Sequence, residues 1–328
     1  MSRERLVVVS YPADEDYARM NTEVLGADAT VVFLRDLPEA ERPGVLGRAE
    51  VLIGWNLGRE LPDGALRDAP ELRFIQLLSA GADSVDFSAI PPALLLAGNV
   101  GAYAEPMAEH VLAMTLALAK RLPQRHAALA RGEWRQSEPV LTLRGAVCGV
   151  LGFGGIGRAT ARLLRPFGAR IHAVNSSGTT SEDVEFAGSL ADLDVVLAAA
   201  DVVVVSLPLT KTTRGLIGAR ELALMKPAAI VVNVARGAII DERALYEHLA
   251  ANPDFGAGID AWWHEPRGGA PFRTEYPFFD LPNVIGSPHN SGIVPGVLLG
   301  AAARAAENAR RYLRGEQVTG LMNRADYV

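Results

Sequence analysis

An apolar run at 146–151 breaks into Gly152-Phe153-Gly154-Gly155-Ile156-Gly157 and then into a stretch with helical spacing. Three glycines at those intervals narrow what this part of the chain can become. The first permits a tight turn, the second lets the backbone come close to an anion, and the third lets a helix lie against the preceding strand. The start of that helix offers free N–H groups and a partial positive charge to phosphate. Glycine-rich turns also arise for packing alone. In this strand–turn–helix setting, however, the pattern predicts a dinucleotide site built on Gly152, Gly154, Gly155, Ile156 and Gly157.

The same alternation of strand and helix fills the chain. Short apolar runs bounded by Asp, Pro or Gly predict strands at 6–10, 30–34, 51–54 and 73–77. A second series follows at 146–151, 170–174, 201–206, 230–234, 257–260 and 284–287, with helices at 156–167 and 242–251 and a last one at 297–313. Such series build parallel sheets covered on both faces. Between them, Glu105-Pro106 opens a helix reaching Leu118 that is apolar nearly all round, expected to be a buried connector between two domains. The 328 residues leave room for two domains. The expected fold class is therefore α/β with two doubly wound parallel sheets. Arg267-Gly268-Gly269-Ala270-Pro271 reads as a surface loop.

Composition excludes several classes. Hydrophobic residues make up 49% and charged residues 21%, the balance of a globular chain, and a net charge of -6 points away from nucleic acid or an anionic membrane surface. The most apolar region, 195–209, is broken by Asp201 and Ser206, so no segment reaches the ~20 apolar residues of a membrane helix. The N-terminal apolar stretch is short and meets Asp14, Glu15 and Asp16, so a leader is not expected and a cytoplasmic setting is. The one cysteine, Cys148, lies in an apolar run and reads as a small buried hydrophobe, and no metal is expected.

The strand at 170–174 ends in Asn175, followed by Ser176 and Ser177. A site for NAD usually places Asp or Glu here to accept from the ribose 2′-hydroxyl. A neutral Asn175 does not repel a 2′-phosphate, and the two hydroxyls can donate to one. The chain is thus expected to accept NADP. NAD stays open, because no arginine follows directly and Asn175 could simply cap a turn.

Three later segments, Val232-Asn233-Val234-Ala235-Arg236-Gly237, Gly258-Ile259-Asp260-Ala261-Trp262-Trp263-His264-Glu265-Pro266 and Ser287-Pro288-His289-Asn290, occur in that order. With the glycine turn and Ser206-Leu207-Pro208-Leu209-Thr210, they resemble the D-isomer-specific 2-hydroxyacid dehydrogenase family over nearly the whole chain. That resemblance implies a Rossmann-type cofactor domain (99–289) inserted in a flavodoxin-like substrate domain (1–98 plus 290–328), with the active site in a closing cleft. It implies that Arg236 binds a 2-keto acid, that His289 is the acid/base, and that Glu265 pairs with it. On the cofactor side it implies Asp260 by the nicotinamide, together with Leu207, Pro208, Thr213, Ala235 and His289. Leu77-Leu78-Ser79-Ala80-Gly81-Ala82-Asp83 resembles the family's substrate loop, in which Ser79, Ala80 and Gly81 would meet the substrate carboxylate. A homodimer through 105–121 is implied as well.

The residue types suit this chemistry in their own right. A guanidinium holds a carboxylate with paired hydrogen bonds and polarises a carbonyl that gains negative charge. Histidine can deliver a proton near neutral pH, and a carboxylate at Glu265 favours the imidazolium needed for reduction. Alternatives are phosphite oxidation on the same fold and a dinucleotide-sensing corepressor with little turnover. Formate is disfavoured, since the resembled formate enzymes pair the histidine with glutamine. Pro288-His289-Asn290-Ser291-Gly292 and Asp260-Ala261-Trp262-Trp263 depart from the commoner pattern and are expected to reshape the pocket. His110, His126, His172, His248 and His264 read as structural or exposed.

Overall fold

Runs of valine, leucine and isoleucine form two parallel sheets in the computed structural model, which describes residues 5–266 and 269–327. Residues 1–4, Val328, and Arg267 with Gly268 of the predicted 267–271 loop lie outside the described residues. The chain divides into two compact units, residues up to Tyr103 with those from Val294 onward, and Ala104–Ile293.

In the first unit, β1 (Leu6–Val9), β2 (Thr30–Phe33), β3 (Val51–Gly54), β4 (Phe74–Leu77) and β5 (Leu95–Ala97) lie in the order β2-β1-β3-β4-β5. This is the flavodoxin-like arrangement. Alternate side chains pass to opposite faces. Val7 and Val9 pack with Leu25 and an alanine stripe, Ala302, Ala305, Ala306 and Ala309, whereas Val8 packs with Leu34, Leu46 and Leu52. The stripe has helical spacing and lets the helix Val297–Leu313 approach the sheet closely. A buried polar pair fixes that helix: Asn308 Nδ2 donates to Gln76 Oε1 on β4 at 2.6 Å. The segment before the second unit is tied down too, because Asn99 N donates to Ser79 O at 2.8 Å and the Tyr103 hydroxyl to Leu78 O at 3.0 Å.

The second unit contains β6 (Val147–Leu151), β7 (Arg170–Val174), β8 (Phe186–Gly188), β9 (Val202–Val205), β10 (Ile230–Asn233), β11 (Gly256–Ile259) and β12 (Val284–Gly286). Their order is β12-β11-β10-β9-β6-β7-β8. The chain leaves β6 to one side for β7 and β8, then crosses to the other side for β9. That reversal makes a crevice at the carboxyl ends of β6 and β9, where ligands bind in open α/β sheets. Both faces are covered: Val203, Val205 and Val231 pack on one side, and Val202, Val204 and Val232 on the other.

The helix Ala104–Ala119 packs within the second unit. It covers one face of the second unit's sheet. Val111, Met114 and Leu118 lie in the same core cluster as Val150, Val204 and Val232, while Ala104 and Ala108 meet Ala159 of the helix Gly155–Leu164. Small residues on both helices explain the close approach, and Glu105, Glu109 and Ala113 keep one face in solvent. Cys148 is fully buried and burial pushes its thiol up to about 12, as befits a packing residue. No helix among the described residues is long and apolar enough to cross a membrane.

Leu151 ends β6, directly before the glycine turn, and is fully buried. Leu151→Ala is expected to lower the unfolding free energy by about 2–5 kcal/mol, the usual effect of opening such a cavity. Urea titration of both proteins checks this, and an unchanged midpoint would contradict the packing described.

Candidate active site

The glycine turn occupies the crevice beside β6, and its three glycines do different work. Gly152 has φ 98, and a Cβ there would stand 2.6 Å from the backbone of Ser206 and Leu207. A Cβ on Gly157 would stand 2.4 Å from Gly152 O. Packing forces both. At Gly154, by contrast, nothing lies within 4 Å of an added Cβ. The open space is therefore on the ligand side. Gly154 caps the helix Gly155–Leu164 without a side-chain hydrogen bond, leaving the first-turn N–H groups of Gly155, Ile156 and Gly157 for an outside acceptor. A pyrophosphate fits this cradle. Across the crevice, the Ser206 hydroxyl donates to Gly152 O at 2.9 Å, and Leu207 is buried while Pro208 is exposed. Thr213 closes the adjoining turn, donating to Pro208 O at 2.6 Å and accepting from Thr210 N at 2.8 Å.

At the end of β7 the Asn175 side chain is committed to its own turn. Its Oδ1 accepts from Ser177 N at 3.0 Å and Gly178 N at 2.8 Å, and its Nδ2 donates to Thr179 O at 2.8 Å. Asn175 thus caps a turn, and Ser177 donates its hydroxyl to the same Oδ1 at 2.9 Å. Ser176 is left exposed, next to a strand end without a carboxylate.

Arg236 follows β10 on a turn organised by Asn233, which is buried. Asn233 Oδ1 accepts from Ala235 N at 3.0 Å, and its Nδ2 donates to Arg236 O at 3.0 Å. Arg236 Nη1 donates to Ala235 O at 2.7 Å. A Cβ at Gly237 would stand 2.4 Å from the Trp262 carbonyl carbon, so this turn lies directly against the segment that leads to Glu265. Glu265 Oε1 accepts from Trp262 N at 3.2 Å and from His289 Nδ1 at 2.6 Å. An ionised carboxylate can only accept, so Nδ1 carries hydrogen and Nε2 is the nitrogen left for a substrate. Burial would raise the Glu265 carboxyl. The hydrogen bond and charge of His289, the Trp262 N–H and the Arg236 charge outweigh it and hold the group below its ordinary value. Both partners stay reachable, with side chains 32% and 39% exposed for His289 and Glu265. Trp262, Phe272 and Phe279 border the pair in a pocket of about 380 Å³.

Asp260, one residue beyond β11, is fully buried. Its Oδ1 accepts from the Ser287 hydroxyl at 2.5 Å and Asn290 N at 3.1 Å, and Oδ2 accepts from Ser291 N at 3.2 Å. Burial would raise this carboxyl as well, yet the Ser287 hydroxyl and the turn N–H groups bring it below its usual value. His110 Nε2 lies 2.9 Å from Ser287 Oγ. Asn233 and Ser287 stand in the quoted segments without a role of their own, and His110 reads as structural from sequence. Asn233 and Asp260 carried a usable signal: each is a polar residue closing a buried parallel strand. Among the other histidines, His172 packs on Phe186 and His248 edge-on against Phe255, while His264 is exposed between Glu242 and Glu275.

In the first unit, the Ser79 hydroxyl donates to Gly81 O at 2.9 Å, closing the turn after β4. Ala80 and Gly81 lie within this turn, between β4 and Ala82.

A doubly wound unit with an open glycine cradle and a carboxylate–imidazole pair at its strand ends defines a dinucleotide-dependent oxidoreductase class. Comparison narrows it. Residues 112–291 match the family model for the D-isomer specific 2-hydroxyacid dehydrogenase NAD-binding domain. The chain is 33% identical over 301 residues to glyoxylate/hydroxypyruvate reductase B of Pectobacterium carotovorum subsp. carotovorum, covering 90% of this chain and 91% of that protein. It is 31% identical over 268 residues to glyoxylate reductase of Thermococcus litoralis, covering 79% of each. The crystal structure of a D-isomer specific 2-hydroxyacid dehydrogenase from Xanthobacter autotrophicus Py2, in complex with NADPH and MES, superposes with a TM-score of 0.78 at 26% identity over 98% of each chain. The chain belongs to the D-isomer specific 2-hydroxyacid dehydrogenase family.

The close backbone approach at Gly237 yields a test. Gly237→Ala must push the Arg236 turn away from Trp262, so the variant is expected to lose stability by about 1–3 kcal/mol, the range for overpacking. Unfolding by denaturant measures this, and a variant as stable as the parent would refute the contact.

Proposed function

We propose that this protein transfers a hydride between a nicotinamide cofactor and a small 2-keto acid or D-2-hydroxy acid of the glyoxylate or hydroxypyruvate type. The observation that carries this reading is the 2.6 Å hydrogen bond from His289 Nδ1 to Glu265, within the electrostatic reach of Arg236. The Gly152, Gly154, Gly155, Ile156 and Gly157 backbone holds the pyrophosphate, with Leu207, Pro208, Thr213 and Ala235 beside it. When bound, the nicotinamide supplies or accepts the hydride.

The chain's own residues do the rest. Arg236 grips the substrate carboxylate and stabilises charge growing on the carbonyl oxygen. His289 Nε2 gives its proton to the nascent alkoxide in reduction and takes it back in oxidation. Glu265 fixes the ring by accepting from Nδ1, which leaves Nε2 to face the substrate. In the first unit, we assign carboxylate binding to the Ser79, Ala80 and Gly81 turn. The neutral Asn175 and exposed Ser176 support use of NADPH, because neither repels a 2′-phosphate. Exposed Leu122, Leu129 and Trp134, next to the 105–121 segment, support a homodimer.

Arg236→Ala and His289→Ala are each expected to lower kcat/KM for glyoxylate or hydroxypyruvate by at least ~10²-fold. Near-parental rates in either would end this assignment. Because Glu265 is held below its ordinary value, it stays ionised to lower pH than a free carboxyl would, so acid uncouples the pair later than it would an unpaired group. In Glu265→Gln the charge is gone at every pH. The acid limb that Glu265 gives the parent's pH profile should therefore be absent from the variant's, and superimposable profiles would count against the role.

Cofactor choice is tested by Asn175→Asp, which keeps the turn-capping oxygen and adds a negative charge. The KM for NADPH should rise about tenfold, equivalent to ~1.4 kcal/mol, while that for NADH holds or improves. A parent enzyme with strong preference for NADH would overturn the NADPH reading outright.

A further inference from the structure

His289 has φ 51, and among the described non-glycine residues only Arg121 shares a positive φ. An L-residue stays in that region when its surroundings enforce it. Here the enforcement converges on one residue. His289 N donates to Asp260 O at 3.0 Å, Asn290 N to Asp260 Oδ1 at 3.1 Å, and Ser291 N to Asp260 Oδ2 at 3.2 Å. Three successive N–H groups are thus gathered by Asp260, whose carboxylate is fully buried.

The same carboxylate is held from the other side. Ser287 donates its hydroxyl proton to Asp260 Oδ1 at 2.5 Å. That hydroxyl has no second proton, so at 2.9 Å from His110 Nε2 it can only accept. His110 is therefore the Nε2–H tautomer or the imidazolium, and it supports Ser287 from the helix Ala104–Ala119. At 3.9 Å from Asp260 Oδ1, His110 is too far for a direct hydrogen bond and acts through the serine. Ser287 O in turn accepts from Trp262 Nε1 at 2.8 Å, and the ring of Pro288 fixes the next φ.

We propose that Asp260, Ser287 and His110 form a positioning clamp that holds the 287–291 turn, and with it the His289 imidazole, in the orientation used for proton transfer. The proposal rests on the acid–base reading of His289. In it Asp260 works through His289, and His110 has a role that packing alone does not require.

The test uses Ser287→Ala, Ser287→Thr, His110→Ala and the Ser287→Ala/His110→Ala double variant. Three quantities are measured: kcat and KM with hydroxypyruvate and NADPH, the NADPH Kd by tryptophan fluorescence, and amide hydrogen exchange over 287–293. Ser287→Ala should lower kcat at least tenfold, leave the NADPH Kd within about twofold, and speed exchange in that segment at least tenfold. Ser287→Thr, which keeps the hydroxyl, should retain at least half the kcat. His110→Ala should show a smaller loss, and the double variant should be no worse than Ser287→Ala, as expected for residues acting through one chain of contacts. His110→Ala removes only the far end of the clamp and keeps the test open if Ser287→Ala does not fold. Unchanged kcat, unchanged exchange, additive losses, or a Kd that weakens in proportion to kcat would each overturn the proposal. If the parent protein reduces no 2-keto acid, the acid–base reading falls, and the exchange measurement alone decides whether the clamp exists.

Discussion

The hydrogen bond between Glu265 and His289 is the contact to which the rest of the second unit is subordinate. A hydrogen bond to a charged group contributes roughly 1.5–3 kcal/mol, less than the entropy of ordering two free loops. It can persist at 2.6 Å only because both loops are already fixed by other contacts. Glu265 is fixed through Trp262 N and through the backbone contact at Gly237, and His289 through Asp260. The strand order follows the same logic, since β10, β11 and β12 are adjacent and their carboxyl ends deliver Arg236, Asp260 and Ser287 side by side.

Asn233 and Asp260 solve one geometric problem twice. A parallel strand leaves the sheet abruptly at its carboxyl end, and the N–H groups of the outgoing turn lose their ladder partners. A short polar side chain at the strand end recaptures them. Asn233 recaptures Ala235 N, and Asp260 recaptures Asn290 N and Ser291 N. The glycine turn solves it differently. Gly152 and Gly157 bring backbone against backbone, and the N–H groups at the helix start are left to a ligand.

Strands built on valine and isoleucine runs were legible to within one or two residues, because a sheet covered on both faces needs continuous apolar sequence. β5 and β8 were not, since three residues such as Leu95-Leu96-Ala97 or Phe186-Ala187-Gly188 carry too little periodicity to stand out. The helix Ala104–Ala119 was legible as apolar and buried but not in its destination, which depends on Ala104 and Ala108 meeting Ala159. Arg236, Glu265 and His289 could be picked out because they stand in local patterns. Ser287 and His110, 177 positions apart, could not, because only the folded chain joins them. Asn175 shows the limit in the other direction: its amide is turned back into 177–179, a choice between two hydrogen-bonding roles that composition does not make.

Burial in this site runs opposite to reactivity. Asp260 and Asn233 are sealed from water, whereas His289 and Glu265 keep about a third of their side chains exposed. A group that exchanges protons with a substrate has to be reachable, so it cannot also be locked by dense packing. Its orientation must come from neighbours that never meet the substrate. A buried carboxylate is expensive to desolvate unless its acceptor sites are filled. At Asp260 the two oxygens take three hydrogen bonds, and the backbone oxygen a fourth. Filling those sites also fixes the turn. The desolvation of Asp260 and the left-handed backbone of His289 are therefore offset by one set of hydrogen bonds.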